Sequence, residues 1–299
     1  LAYAAVTPKD RRAALPAEPR WGVWGQFYGG HRTTDGDAAS GAADTTTRTY
    51  GVATGFDYRA APDLVVGLAL AGGSTNFSVA NGLGGGKSDV FQLGVYGTKK
   101  FGAAYLSAAL SYAWHDASTD RTVTVSGIDR LVADFSAHSF GGRLEGGYRY
   151  DAAMLSVTPY AAVQVQAFRT SAYGETATLG SNAFALSYDA RTVNATRTEI
   201  GAWFDKTVAL EQGSTVTWRA RLAWAHDFNN DQSINVAFQT LPGASFTVNG
   251  AQAAPNAALL SAGAELRLIN NWSVAAKLDG ELASGARTYA GTGTLRYVW

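Results

Sequence analysis

Three short stretches hold the side chains best suited to proton transfer or nucleophilic attack. They are His115–Asp116, His226–Asp227, and His138, which stands between Ser136 and Ser139. A histidine beside a carboxylate can activate water, and a serine beside a histidine can become a nucleophile. Whether they can do so depends on the element that carries them. On a strand, adjacent residues point to opposite faces, so neither His-Asp dipeptide forms a dyad by itself. No Asn or Asp is placed in sequence to complete a triad with His138. The glycine-rich "ANGLGGG" at 80–86 could suggest a phosphate cradle, but no Lys-Ser/Thr pair follows it on a helix, and it reads as a flexible loop. Cysteine is absent, which removes a disulfide framework and any Cys-ligated metal. The residues point to no catalytic, cofactor-binding or metal site.

The positioning elements are strands. In "YLSAALSYAW" (105–114), Leu106, Ala108, Leu110, Tyr112 and Trp114 alternate with Tyr105, Ser107, Ala109, Ser111 and Ala113. That period of two gives a strand with one apolar face. "TVTWRARLAW" (215–224) repeats it, with Arg219 and Arg221 on the polar side. A helix would set those two arginines about 200° apart on its surface. The same pattern marks twelve segments: 21–31, 47–59, 64–75, 88–100, 103–116, 132–150, 154–169, 195–210, 215–228, 256–269, 271–282 and 287–299. Each is about ten residues or more, the length that a tilted membrane strand needs.

Composition agrees with that reading. Charged residues make up 16 % of the 299 positions, against about 25 % in soluble domains. Lys plus Arg and Asp plus Glu number 24 each, so the formal net charge is zero and no basic excess invites nucleic acid. No run of about 18 apolar residues could form a membrane helix. Barrel strands average lipid-facing with lumen-facing residues, and a mean hydropathy of −0.07 suits them. Residue 1 is Leu and Met154 is the single methionine, so a processed or excised piece of a longer chain is expected, with any signal peptide already removed.

The links are read as alternating in length. Short turns fall at 59–63, 99–103, 150–153, 211–214 and 269–271; long polar links fall at 31–47, 72–89, 116–131, 170–194 and 228–255. An up-and-down barrel with one end in the periplasm and the other outside produces this parity. "GASFTV" inside the last long link predicts an extracellular hairpin. Aromatic residues gather toward strand ends: Trp21, Trp24, Phe27 and Tyr28; Phe56 and Tyr58; Tyr148 and Tyr150; Trp218 and Trp224; Tyr297 and Trp299. Girdles at the two membrane interfaces would place them there. Ionised groups facing lipid would cost on the order of 2–4 kcal/mol each at mid-bilayer. Arg143, Glu145, Arg149, Glu199, Asp205, Arg219, Arg221, Glu265, Arg267, Lys277, Asp279 and Glu281 are therefore assigned to a wet interior. Leu295, Tyr297 and Trp299 face outward on the last strand, with Arg296 inward, and that strand must pair with the first or leave an unsatisfied edge in hydrocarbon.

Several stretches in order resemble the C-terminal translocator domain of a type Va autotransporter of Gram-negative bacteria. They are "WGVWGQFYGG", "RTYGVATGFDYR", "TPYAAVQVQAF" followed by "YGE", "TRTEIGAWFD", "PGASFTVNGA" and the closing "YAGTGTLRYVW". The resemblance runs over almost the whole chain. It implies an all-β fold: a 12-stranded, up-and-down antiparallel outer-membrane barrel over 21–299, preceded by a pore-threading remnant of the passenger at 1–20. Pro8, Pro16 and Pro19 limit any helix there to a turn or two, around Lys9 to Leu15. Leu295, Tyr297 and Trp299 resemble the assembly signal, although Thr294 stands where family members often carry Gly. The implied partners are outer-membrane lipid (lipopolysaccharide and phospholipid), the barrel-assembly machinery and the chain's own N-terminal passenger, around a monomer. Some relatives cleave the passenger inside the barrel at an Asn pair; no Asn occurs before Asn76. The competing readings are a barrel enzyme, a protease or lipase using rim Asp, His or Ser, and a passive pore whose 228–255 link folds into the lumen.

Overall fold

A computed structural model describes residues 19–299 except positions 38, 40, 211–212, 230–233, 249 and 252–253. Twelve long antiparallel strands make one closed sheet: β1 (Trp21–Thr34), β2 (Thr45–Ala61), β3 (Leu64–Val79), β4 (Gly84–Phe101), β5 (Ala104–Val123), β6 (Asp129–Tyr148), β7 (Ser156–Thr170), β8 (Arg191–Ala209), β9 (Thr215–Asp227), β10 (Asn256–Arg267), β11 (Trp272–Ala283) and β12 (Ala286–Val298). Each strand pairs with its neighbours in the chain, and β12 pairs with β1 from Gly22↔Val298 to Thr34↔Ala286. The seam is tied off by Trp299, whose carbonyl accepts from Arg20 N at 2.9 Å and Trp21 N at 3.0 Å and whose amide donates to Trp21 O at 2.9 Å. Closure leaves no edge strand, so over the shared length of the ladder each barrel strand is paired on both sides.

The register sorts the two faces. Val66, Leu68 and Leu70 stand in line with Gly97, Val95 and Leu93, and these with Ala108, Leu110 and Tyr112. Leu68, Leu110, Ile200 and Leu278 are 62 %, 63 %, 62 % and 69 % exposed. The opposite face buries Asp57, Glu145, Glu199 and Asp205 among small residues such as Ala113, Ala223 and Ala225. Large apolar side chains outside and carboxylates inside invert the soluble pattern, and hydrocarbon is the solvent that such an exterior suits. No helix among the described residues is long and apolar enough to cross a membrane.

The expected alternation of link length is only partly present. At the end away from the termini, 35–44, 171–190 and 228–255 are long, whereas 80–83, 124–128 and 284–285 are tight. Most of 72–89 and 116–131, read as loops, is strand, and β5 and β6 reach twenty residues each. A twenty-residue strand is about 66 Å long, and even tilted it overshoots an apolar band about 25 Å tall. Above the band both faces are wet, so hydrophobic alternation stops while the hydrogen-bond ladder continues. Asn81 and Gly82, both at positive φ, close the tight turn between β3 and β4.

Ile234–Phe238 and Leu241–Val248 form the hairpin foreshadowed by "GASFTV". It joins a four-stranded sheet with Leu186–Tyr188 and Tyr173–Gly174, which belong to the 171–190 link. The sequence pattern predicts only a long polar link at 170–194.

Candidate functional site

Ion pairs on the polar face form within strands and between neighbouring strands, and several join strands that are not neighbours. Arg143 of β6 donates to both oxygens of Glu199 on β8 at 2.8 Å each, and to Glu145 at 2.8 Å. Tyr105 donates to Glu145 at 2.9 Å and Tyr160 to Glu199 at 3.3 Å. Arg221 on β9 lies 3.7 Å from Glu199 and 3.8 Å from Asp279 on β11, and its Nε donates to Ser261, which donates to Asp279 at 2.6 Å. Lys277 sits 2.9 Å from Asp279. Arg219 pairs with Asp205 at 2.6 Å, a carboxylate shared with Arg149 at 3.2 Å. Glu265 and Arg267, two apart on β10, meet only at 3.9 Å. Most of these side chains thus belong to one connected set, because curvature converges side chains on the concave face and lets an arginine reach past the intervening strand.

Arg197, Tyr96 and Asp57 join the network although the sequence reading does not mark them for the interior. Arg197 holds Asp227 at 2.7 and 2.8 Å and reaches Glu281, three strands away, at 2.9 and 3.0 Å. Strand parity with Glu199 and Asp205 is the signal that could have found it. Near the termini, Trp24 donates to the Tyr96 hydroxyl at 2.8 Å, and Tyr96 and Arg296 both donate to buried Asp57. Trp24 therefore serves this inner junction and is 9 % exposed. It does not belong to an outer aromatic girdle, and the even positions of β1 put Tyr28 on the same inward side. Gly55 and Gly67 make room for it: a Cβ on Gly55 would run into the Trp24 indole, and one on Gly67 into the Tyr96 ring.

The rim histidines do not assemble a triad. His115 faces inward, with Nε2 3.1 Å from Ser139 Oγ and Nδ1 3.4 Å from Ser88 Oγ. Among the described residues no carboxylate contacts it, and Asp116 belongs to the outer face. His138 is outward beside Tyr112, at 2.9 Å from its hydroxyl, on the face opposite Ser139. His226 is outward between Trp224 and Phe228 and meets Asn256 at 2.9 Å. Among the described residues, no three His, Asp or Glu side chains could hold a metal. Leu295, Tyr297 and Trp299 lie on the outer side; Tyr297 packs against Trp272 and Trp299, and Trp299 approaches Phe56 across the seam.

A buried anchor also ties the loop sheet to the wall. Arg121 of β5 donates to both oxygens of Glu175 at 3.0 and 2.6 Å, and Glu175 accepts from Leu186 N and the Tyr188 hydroxyl. Phe135, Tyr173 and Tyr188 stack at ring separations of 4.0 and 4.4 Å. Burial lifts the Tyr173 phenol to about 12, and burial with the Glu175 charge raises Tyr188 as well.

Residues 23–279 match the family described as Autotransporter beta-domain. An extracellular serine protease of Serratia marcescens is 27 % identical over 266 residues; the match takes 88 % of this chain and 24 % of that protein, so the chain spans about a quarter of its relative. The fold is similar to the translocator domain of the autotransporter NalP from Neisseria meningitidis (TM-score 0.74, 14 % identity, 93 % of this chain and 88 % of that one). It is also similar to the β domain of the Bordetella autotransporter BrkA (TM-score 0.69, 20 % identity, 94 % and 100 %). A closed twelve-strand cylinder, apolar outside and charged within, together with a family match over most of its length, places the chain among the autotransporter β-domains, the outer-membrane translocator barrels of type V secretion.

Proposed function

We propose that this barrel anchors an N-terminal passenger in the outer membrane and serves as its route to the cell surface, without catalysing a reaction itself. The observation that carries the reading is the polar face, whose ion pairs run along the wall between strands two or three apart. Those charges line a wet passage, with Arg143, Glu145, Glu199, Arg219, Arg221, Glu265, Arg267, Lys277 and Asp279 facing it. Paired charges keep the passage hydrated and give a moving polypeptide no sequence-specific grip. Both barrel termini sit together at one end, which is taken as periplasmic, and the long links at the other are taken as extracellular. Residues 1–20 thread the lumen and join the passenger; this assignment falls outside the described residues except for Pro19 and Arg20. Leu295, Tyr297 and Trp299 are the sites read by the barrel-assembly machinery, and the protein works as a monomer in contact with lipopolysaccharide and phospholipid.

An eight-stranded barrel is filled by its own side chains and sixteen strands leave a channel. Twelve admit one helix or one extended hairpin, so the passenger crosses unfolded and its folding outside drives it outward. The test fuses a reporter passenger to the chain and measures surface exposure by protease added to intact cells. A foldable passenger should reach the surface, and one locked unfolded by substitution should stall. Normal display of the unfoldable passenger would overturn the folding-driven mechanism, and failure to display any passenger would overturn the translocator assignment for this chain.

A further inference from the structure

Arg48, Arg287 and His31 stand together on the outer face at the end away from the termini. The register gives the arrangement: Tyr289, His31 and Arg48 occupy one rung across β12, β1 and β2, and Arg287 lies one rung higher beside Thr33. With strands about 4.8 Å apart and rungs about 6.8 Å apart, the two arginines are roughly 12 Å apart at Cα, with His31 between them. All three are exposed. Neither arginine has an ion-pair partner among the described residues. Asp35, a further rung up, pairs with neither. The outward positions of the flanking strands are Leu282 and Gly280 on β11 and Ser74, Asn76 and Ser78 on β3, none of them acidic. The next outward carboxylate, Asp89 on β4, is taken by Lys87 at 2.7 Å.

Elsewhere on the outer surface two cations near the rims are paired, while Arg169 at the loop end of β7 stands without an ion pair among the described residues. Lys99 is bound to Asp63 at 2.6 Å, and Arg130 lies 3.8 Å from Asp120. Arg48 and Arg287 sit directly above the apolar wall, with Tyr50 and Tyr289, 57 % and 56 % exposed, at their base. Tyrosines of that kind mark the headgroup level. The rung beneath carries Gly29 and Gly291 below His31 and Tyr289, with Tyr50 below Arg48 and Leu278 beside Gly291, so the ledge opens toward the hydrocarbon through a gap between two large side chains.

We propose that the ledge binds the phosphate of an anionic lipid in the leaflet at the loop end, with Arg48 and Arg287 as the phosphate ligands and His31 between them. Guanidinium forks match phosphate oxygens in pairs. Charge at this height meets a lipid headgroup before any soluble anion, and the adjacent apolar wall receives the acyl chains. Given the orientation proposed above, the lipid is the phosphorylated glycolipid of the outer leaflet. The site then covers the β1–β12 seam from outside.

The experiment uses the purified full chain in phosphatidylcholine nanodiscs and reads retained lipid by native mass spectrometry. The probes are a bisphosphorylated acylated glucosamine disaccharide, its dephosphorylated form, and inorganic phosphate as competitor. Wild type should retain the phosphorylated lipid in preference. R48Q/R287Q should lose roughly tenfold in retention, the scale of one or two charge-assisted contacts. R48K/R287K should keep most of it, and K206Q, at the other end of the barrel, should match wild type. Folding of each variant is checked by its heat-modifiable mobility. Equal retention by folded R48Q/R287Q, or no preference for the phosphorylated form, overturns the proposal. So does inorganic phosphate binding with the same arginine dependence while the lipid is not retained. Passenger display is measured in parallel: lost retention with normal display bears on the ledge alone, and absent display in wild type bears on the translocator reading.

Discussion

Asp57 shows how much one carboxylate can hold in a barrel. It is 3 % exposed, on β2, and it accepts from Arg296 of β12 across β1 and from Tyr96 of β4 across β3. Four of the twelve strands therefore meet at one side chain or its immediate donors, around the β1–β12 seam. Removing one member leaves a guanidinium or hydroxyl desolvated without its partner, a cost of roughly 3–5 kcal/mol for a buried pair. D57A is expected to convert to the unfolded gel band at a markedly lower temperature in detergent, with amides of β1 and β12 exchanging first. D57L/R296M, which removes both charges, should regain much of the loss. A D57A barrel as heat-stable as wild type would show that the junction is incidental. G55A tests the same place by packing: its methyl would meet the Trp24 indole, which is held by its bond to Tyr96. Overpacking of this kind costs about 1–3 kcal/mol, and G55A/W24F should recover part of it in the same assay.

Among the elements, the four-stranded loop sheet is the part that pH can release. Its contact with the wall includes Glu175, Tyr173 and Tyr188, next to a short backbone ladder of Thr176–Leu179 on β6, and burial pushes the Tyr173 phenol up to about 12, against about 10 unfolded. A phenol whose folded value is raised contributes stability that is fully present below pH 10 and is lost as pH rises through 12. Tyrosinate absorbance should therefore show a late-titrating group between those limits, accompanied by protease sensitivity within 171–190. E175Q should shift both transitions to lower pH. Coincident titration of all tyrosines near 10, with no change in loop cleavage, would refute it. This sheet was the least legible feature in the sequence. Leu186–Tyr188 is three residues long and shows no period, and its partner lies some fifty residues away in another link. The barrel strands were legible where lipid touches one side, as in Leu106 to Trp114, and illegible above that band, where β3 to β6 keep pairing with both faces wet. The polar face of Arg219, Arg221 and Glu199 followed from parity. Which charges meet did not, because Arg197 reaches Glu281 only through the stagger of four strands, and stagger leaves no trace in a single chain.

For the whole molecule, the question is whether the cylinder is blocked by its own wall. The ion pairs argue that it is not. Arg143–Glu199 spans β6 to β8, Arg221–Asp279 spans β9 to β11, Arg197–Glu281 spans β8 to β11, and Arg296–Asp57 spans β12 to β2. Each of these pairs joins strands two or three apart, so these charges run along the wall rather than across the axis. Twelve strands enclose less than the sixteen of an open porin, and a single extended segment would fill most of what remains. Full-length chain in a planar bilayer is therefore expected to conduct poorly, and the same barrel without residues 1–20 to conduct several times better. R143Q or R221Q in the shortened barrel should alter ion selectivity more than total conductance, since each removes a charge and little volume. If the shortened and full-length barrels conduct alike at a high level, the barrel is a standing pore and residues 1–20 do not occupy it. If both remain closed, the 171–190 and 228–255 links close the loop end, and R121Q, which frees Glu175 from the wall, becomes the variant that should open it.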